Sequence, residues 1–241
     1  HYGEIVAFDR SIGVLRNKIS EMGIHQNTII WYCSDNGGLK NIIPSTVGGL
    51  KGGKNTMWEG GLRVPAIIEW PKMIKPRVTK YPASTMDIFP TILEIVGLNE
   101  NSKLSYFDGE SIVDIFDSKR ETRLSKIPFR FDNRGALIDN NIKLVVHDIK
   151  NLDFELYNLS NDPTESNDIS LTEIDLLQKM KNEYIFWNKT VDLDVKKMKI
   201  IDPVQWRDAD KYFPFFEEWI KRKEYSRYIR RQPYSVLFDN N

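Results

Sequence analysis

Asp35 and Asn36 set a carboxylate and a carboxamide oxygen side by side where the apolar run TIIWYC, beginning at Thr28, gives way to SDNGG. Paired hard oxygens of this kind suit Ca²⁺ or Mg²⁺. Two donors do not close a coordination shell, and a Ser-Asp-Asn-Gly step is also ordinary turn chemistry, with side chains bonded to the local backbone. Further along, LKGGKNTMWEGGLRVPAIIEW places Lys51 and Lys54 in a glycine-rich loop. Gly52 and Gly53 let the backbone pass close to a ligand, and a lysine in such a loop offers compact positive charge to an oxyanion. Spacing alone does not choose between the two lysines. Eight of the chain's 14 glycines lie between Gly37 and Gly61, a density that turns alone do not require.

The other reactive side chains read as structural. Glu59 has the chemistry of a base, but Arg63 follows four residues later, and a Glu–Arg pair bracing the loop is the simpler expectation. Cys33 ends the apolar run and reads as a packed thiol, since a nucleophilic cysteine needs a base partner. His1, His25 and His147 show no metal-ligand spacing.

These residues need elements to hold them. Apolar positions Ile5, Val6, Phe8, Ile12, Leu15 and Ile19 keep helical spacing from Tyr2 to Met22, with Gly23 as a stop. Thr28 to Cys33 reads as a strand buried on both faces, in the manner of a parallel sheet flanked by helices. Helix, loop and buried strand in that order predict an α/β architecture, in which ligands collect beyond the carboxyl ends of strands, where Ser34 to Gly38 fall. Val64 to Trp70 predicts a second buried strand, and residues 72–82 a basic surface connection. Ser84 or Thr85 caps a helix running to Val96, with Asp87 in its first turn and Gly97 at its end.

The pattern changes after Gly97. A short helical stretch around Ile112 to Phe116 precedes the strand patterns IPFRF, RGALID, IKLVVH and FELYNL, with Asn140-Asn141 as a hairpin turn. A helix follows from about Thr172 to Trp187. Residues 1–125 are thus expected to form an α/β portion and residues 126–241 a small antiparallel-sheet subdomain with a terminal helix and an aromatic, basic tail. Within that tail Tyr212 to Arg231 reads as a helix, with seven basic against three acidic residues between Lys211 and Arg231.

Length and composition set the outer bounds. A chain of 241 residues with 41% hydrophobic and 28% charged residues is long enough for a real core and has a globular balance. Lys+Arg and Asp+Glu are both 34, so no overall field favours nucleic acid or an anionic membrane. One cysteine excludes an internal disulfide. No apolar run reaches the roughly 18 residues a membrane-spanning helix needs. The chain opens with HYGEIVAFDR, in mid-pattern, as expected of a piece cut from a longer protein.

Several stretches, taken in order, resemble the carboxyl-terminal half of the formylglycine-dependent sulfatases: YGEIVAFDRSIGVLRNKISEMGIHQNTIIWYCSDNGG, LKGGKNTMWEGGLRVPAIIEWP, STMDIFPTILEIVG, FDGESIVDIF, RGALIDNNIKLV and FELYNLSNDPTESNDIS. The resemblance covers about residues 2–190. It implies part of an alkaline-phosphatase-like α/β fold and a Ca²⁺-assisted hydrolase of sulfate esters, Mg²⁺ being the alternative ion. It matches Asp35 and Asn36 to metal ligands and Lys54 to a lysine that contacts the sulfate and serves catalysis. It also implies a sulfated small molecule or sulfated glycan as substrate, and periplasmic or secreted localisation.

The departures from the family pattern are equally specific. The family's nucleophile is a formylglycine made from the first residue of a Cys/Ser-x-Pro/Ala-x-Arg signature, and the sequence contains none. The amino-terminal Asp-Asp pair and the upstream Lys and His groups are missing too. The expectation is half an active site, completed by a missing amino-terminal half of the domain. Two other readings stand beside it: a phosphodiesterase or phosphonate hydrolase of the same superfold, and a degenerate module that binds sulfated glycans through Lys54 and the basic tail. The absence of a DxH or GxxH pattern around Asp35 speaks against the phosphorus chemistry.

Overall fold

The computed structural model describes residues 2–40, 42, 43, 45–98, 107–117 and 120–197. The chain divides into two compact units, His1–Trp187 and Asn188–Asn241. The second is described only over residues 188–197, the end of a helix. The expected helix over Tyr212 to Arg231 lies outside the described residues. No described helix is long and apolar enough to cross a membrane.

Helix α1 (Tyr2–Glu21) forms where the apolar spacing places it, and Gly23, with φ at +72°, turns the chain out of it. None of its residues is buried. Ile5, Phe8 and Leu15 are each about half exposed, so the apolar stripe lies uncovered among the described residues. Arg16 grips Glu69 with two bonds of 2.7 Å, and the Phe8 ring lies 5.7 Å from that of Tyr32.

Strand β1 (Ile30–Cys33) pairs with β2 (Ala66–Glu69), Ile30 opposite Glu69 and Cys33 opposite Ala66. The pairing is antiparallel and β1 is half-buried throughout. This corrects the expectation of a strand buried on both faces in parallel surroundings. The chain returns to β1 through the loop and the four-residue helix α2 (Glu59–Leu62) and so runs back alongside it. Trp31, Ile68 and Trp70 pack on a cluster of Tyr81, Ile112, Ile115 and Phe116.

Helix α3 (Ile88–Ile95) follows a 3₁₀ turn at Thr85–Asp87. Ser84 caps that turn in a capping box with Asp87. Asp87 does more than favour a helix dipole. Its buried carboxylate accepts from Ser84 N at 2.7 Å and Glu110 N at 2.9 Å, and takes both Arg123 terminal nitrogens at 2.6 Å. Segments beginning at residues 84, 110 and 123 are thereby tied to one side chain.

Strands β3 (Ile127–Phe131), β4 (Arg134–Asp139), β5 (Ile142–Asp148) and β6 (Asp153–Asn158) form a four-stranded antiparallel meander, as their patterns predict. Side chains alternate between its faces. Leu137, Leu144, Val146 and Leu156 meet Met180 and Tyr184 of α4 (Ile174–Lys197) on one face. Ala136, Val145 and Tyr157 meet Met57, Trp58 and Leu62 of the glycine-rich loop on the other. The loop is thus the second cover of the sheet.

Replacing Arg123 with Leu strands the Asp87 carboxylate without its buried partner. The expected loss is about 3–5 kcal/mol, read from the urea unfolding midpoint; a loss below about 1 kcal/mol, the scale of a surface pair, would mean the pair is dispensable.

Candidate functional site

The site begins where β1 ends. Ser34 N still bonds back to Pro65 O at 3.3 Å, and the chain then turns. Asp35 is exposed; its Oδ1 accepts from Asn36 N at 3.0 Å, and Ser34 Oγ donates to Asn36 O at 3.1 Å. Backbone bonds then lace this turn to the glycine-rich loop, with Gly37 N donating to Gly61 O at 2.9 Å and Lys54 N to Gly38 O at 2.8 Å. A Cβ at Gly37 would overlap the Gly60 carbonyl, so the close approach requires glycine. Asp35, Asn36 and Lys54 stand on two directly bonded loops.

The structure separates the two lysines. Lys51 donates from Nζ to Tyr157 OH and Glu165 O, both at 3.0 Å, and lies over the Trp58 and Tyr157 rings, 4.7 and 5.1 Å from their centroids. It is a structural cation. Lys54 is exposed, joins no described ion pair and makes no described side-chain hydrogen bond. Of the two, Lys54 is free to meet an oxyanion.

Glu59 is buried, and the expected Arg63 brace is its weaker contact: 3.6 Å, to an arginine 61% exposed. Its principal partner is Lys143 of β5, fully buried and 2.9 Å away. Lys143 also lies 2.8 Å from buried Glu165, whose other oxygen accepts from Glu59 N at 2.6 Å. A desolvated carboxylate gains most from an equally desolvated cation, whereas Arg63 stays in water. Spacing along the chain does not pair Lys143 and Glu165 with the loop. Their sequence signal was a lysine inside the apolar run IKLVVH and the acid of DPTE.

Beside this set, His147 Nε2 sits 2.8 Å from Glu155, which also accepts from Tyr157 OH at 2.7 Å. Burial pushes the Glu155 carboxyl up, but bonds from Tyr157 and His147 outweigh it and hold the group below its ordinary 4.5. Burial, then Glu155, push the Tyr157 phenol well above its ordinary range. Cys33 is a half-buried free thiol. His147 has a structural role, His25 contacts Gln26, and His1 lies outside the described residues.

Asp35 and Asn36 fit Ca²⁺ in donor type but supply two of the six to eight oxygens it takes. Among the described residues no group of three or more His, Cys, Asp and Glu side chains could hold a metal. Two donors leave most of such a shell to other groups.

Two family descriptions match: "Sulfatase" over residues 1–98 and "N-sulphoglucosamine sulphohydrolase, C-terminal" over residues 52–186. A Formosa agariphila sulfatase is 31% identical over 209 residues, covering 74% of this chain and 37% of its own length. Human steryl-sulfatase is 32% identical over 143 residues, covering 55% of this chain and 24% of its own. A crystal structure of Ps i-CgsB in complex with k-i-k-neocarrahexaose superposes with a TM-score of 0.64 at 28% identity, covering 76% of this chain and 41% of the other. The chain therefore spans well under half the length of these proteins.

Burial is the largest influence on Glu165 and raises its carboxyl above the ordinary 4.5, with Lys143 opposing. A carboxyl that holds its proton more tightly folded than unfolded makes stability fall as pH rises above that ordinary value. Lys143→Met removes the opposing charge. It is expected to cost about 3–5 kcal/mol at neutral pH and to recover part of that loss as pH falls to about 5, measured by urea unfolding at both. A loss that does not change with pH would show that Lys143 does not hold the Glu165 charge.

Proposed function

The chain belongs to the sulfatase family, and from that premise we propose that it supplies one wall of a sulfate-ester hydrolysis site, with Asp35 and Asn36 facing a metal ion and Lys54 facing the sulfate. The observation that carries this is the lacing of the Asp35–Gly38 turn to the loop that presents Lys54, through Lys54 N to Gly38 O. The fold is the alkaline-phosphatase-like α/β fold of sulfatases, present in part.

The Asp35 carboxylate and Asn36 carboxamide oxygen would hold Ca²⁺, with Mg²⁺ as the alternative. When bound, the ion supplies positive charge that offsets charge developing on the sulfate oxygens. Lys54 directs its ammonium at another of those oxygens, and because the backbone bonds already fix its loop, little reorganisation accompanies the reaction. The 241 residues contain no formylglycine signature. Turnover therefore needs an amino-terminal half of the domain that brings the nucleophile and the remaining metal ligands. In support, the chain spans only 37% of the Formosa relative, and α1 leaves Ile5, Phe8 and Leu15 uncovered among the described residues.

The substrate is a sulfated small molecule or a sulfated glycan; relatives as different as a steryl-sulfatase and a protein crystallised with neocarrahexaose fall on either side. A second reading is a sulfate-binding module without turnover, favoured by a free Lys54 in a chain that lacks the signature. No histidine adjoins Asp35 in sequence to favour phosphodiester or phosphonate hydrolysis.

The purified chain is expected to give no aryl sulfate hydrolysis and, with two donors of a six- to eight-oxygen shell, no calcium-dependent rise in its unfolding temperature. Hydrolysis by the chain alone, lost in Asp35→Ala, would refute the half-site. A calcium-dependent rise that Asp35→Ala abolishes would show instead that this chain closes the metal site by itself. With its apolar stripe uncovered, the chain alone should self-associate in sedimentation experiments; a clean monomer with cooperative unfolding would argue against a missing half.

A further inference from the structure

Arg134 begins β4, directly opposite Phe131 across the Asp132-Asn133 turn. Its Nη1 donates to the backbone carbonyl of Asn55 at 3.1 Å, and its guanidinium carbon lies 5.1 Å from the Phe131 ring centroid. Asn55, with φ at +69°, is the residue after Lys54. A second cation is therefore anchored one peptide from the lysine that meets the sulfate. Lys40 approaches from the other loop, where its Cγ lies 2.8 Å from the position a Gly53 Cβ would take.

Arg134 is anchored by a carbonyl and a ring rather than by a carboxylate. Arg16, Arg63, Arg120, Arg123, Lys126 and Lys143 all face carboxylates within 4.0 Å. No described ion pair includes Lys40, Lys54 or Arg134. The acid nearest Arg134 in sequence, Asp132, is exposed and likewise unpaired among the described residues. A carbonyl and an aromatic ring hold the guanidinium in place without neutralising it, and several of its five donors stay available in a plane suited to sulfate or carboxylate. In a chain with no net charge, Lys40, Lys54 and Arg134 stand around residues 53–55 without a described ion pair, alongside the exposed carboxylates of Asp35 and Asp132, and offer local positive charge to an anion.

We propose that Arg134 and Lys40 form a second anion subsite beside Lys54, so that the substrate carries at least two anionic groups, as a multiply sulfated glycan does. This rests on the reading of Lys54 as the sulfate-facing lysine. Arg134, pinned on two sides, fixes the orientation of the second group, and Lys40 adds charge from the opposite loop.

The test is direct titration of the full chain with a monosulfated disaccharide and the disulfated form of the same sugar. The disulfated sugar should bind about three- to fivefold tighter, the scale of one exposed ion pair, and added salt should shrink the margin. Arg134→Gln should cut that margin, and the monosulfated affinity measured beside it reports any shift of the Lys54 loop that follows loss of the bond to Asn55. Lys40→Gln, at an exposed side chain with no bond to lose, should reduce the margin even if Arg134→Gln proves unstable. Equal affinity of the wild-type chain for the two sugars overturns the subsite, as does a margin that survives both substitutions. Lys54→Ala should weaken both sugars alike; if the monosulfated affinity does not change, the assignment of Lys54 fails, while the Arg134 margin is still read separately.

Discussion

Lys143, with no solvent exposure, sits between Glu59 and Glu165 at 2.9 and 2.8 Å, and the course of the glycine-rich loop depends on that contact. Glu59 opens α2, whose following glycines receive the close backbone approach of Gly37. Glu165 ends the turn after β6 and accepts from the Glu59 backbone. A loop rich in glycine has little intrinsic preference for one path. Here the path is set by charges that cannot be separated without leaving one buried and alone.

The same arrangement explains why the small sheet and the site are physically one object. One face of the sheet is closed by α4, as in any sheet backed by a helix. The other is closed by Met57, Trp58 and Leu62, immediately past the residues that present Lys54. The loop is held in place by packing because it is also a wall of a core. Lys51 adds to this by filling the space between Trp58 and Tyr157, which leaves Lys54 as the cation turned to solvent. Close backbone packing, a paired interior and an unpaired exterior charge together suit electrostatic work on an oxyanion.

A second buried ion pair organises the remainder of the first unit. Asp87 gathers Ser84, Glu110 and Arg123, and with Glu110, Tyr81 and Arg120 it forms a polar seam beside the Tyr81, Ile112, Ile115 and Phe116 cluster. Opposite this order, α1 and the short β1–β2 pair keep large apolar side chains exposed. The contrast within one unit is that of a core completed on one side only among the described residues.

Much of this was legible in the sequence, and the reason is locality. The meander over residues 127–158 follows from alternating apolar patterns and turn residues such as Asn140, found with φ at +54°. The helix at 2–21 and the Ser84 cap were likewise readable, because spacing within a few residues specifies them. The partner and direction of β1 were not, since an apolar tetrapeptide carries no information on what lies beside it. Nor could spacing choose Lys54 over Lys51, replace Arg63 with Lys143 as the partner of Glu59, or place Arg134 against Asn55. Those outcomes depend on which distant side chains lose water together, and desolvation is a property of the assembled chain.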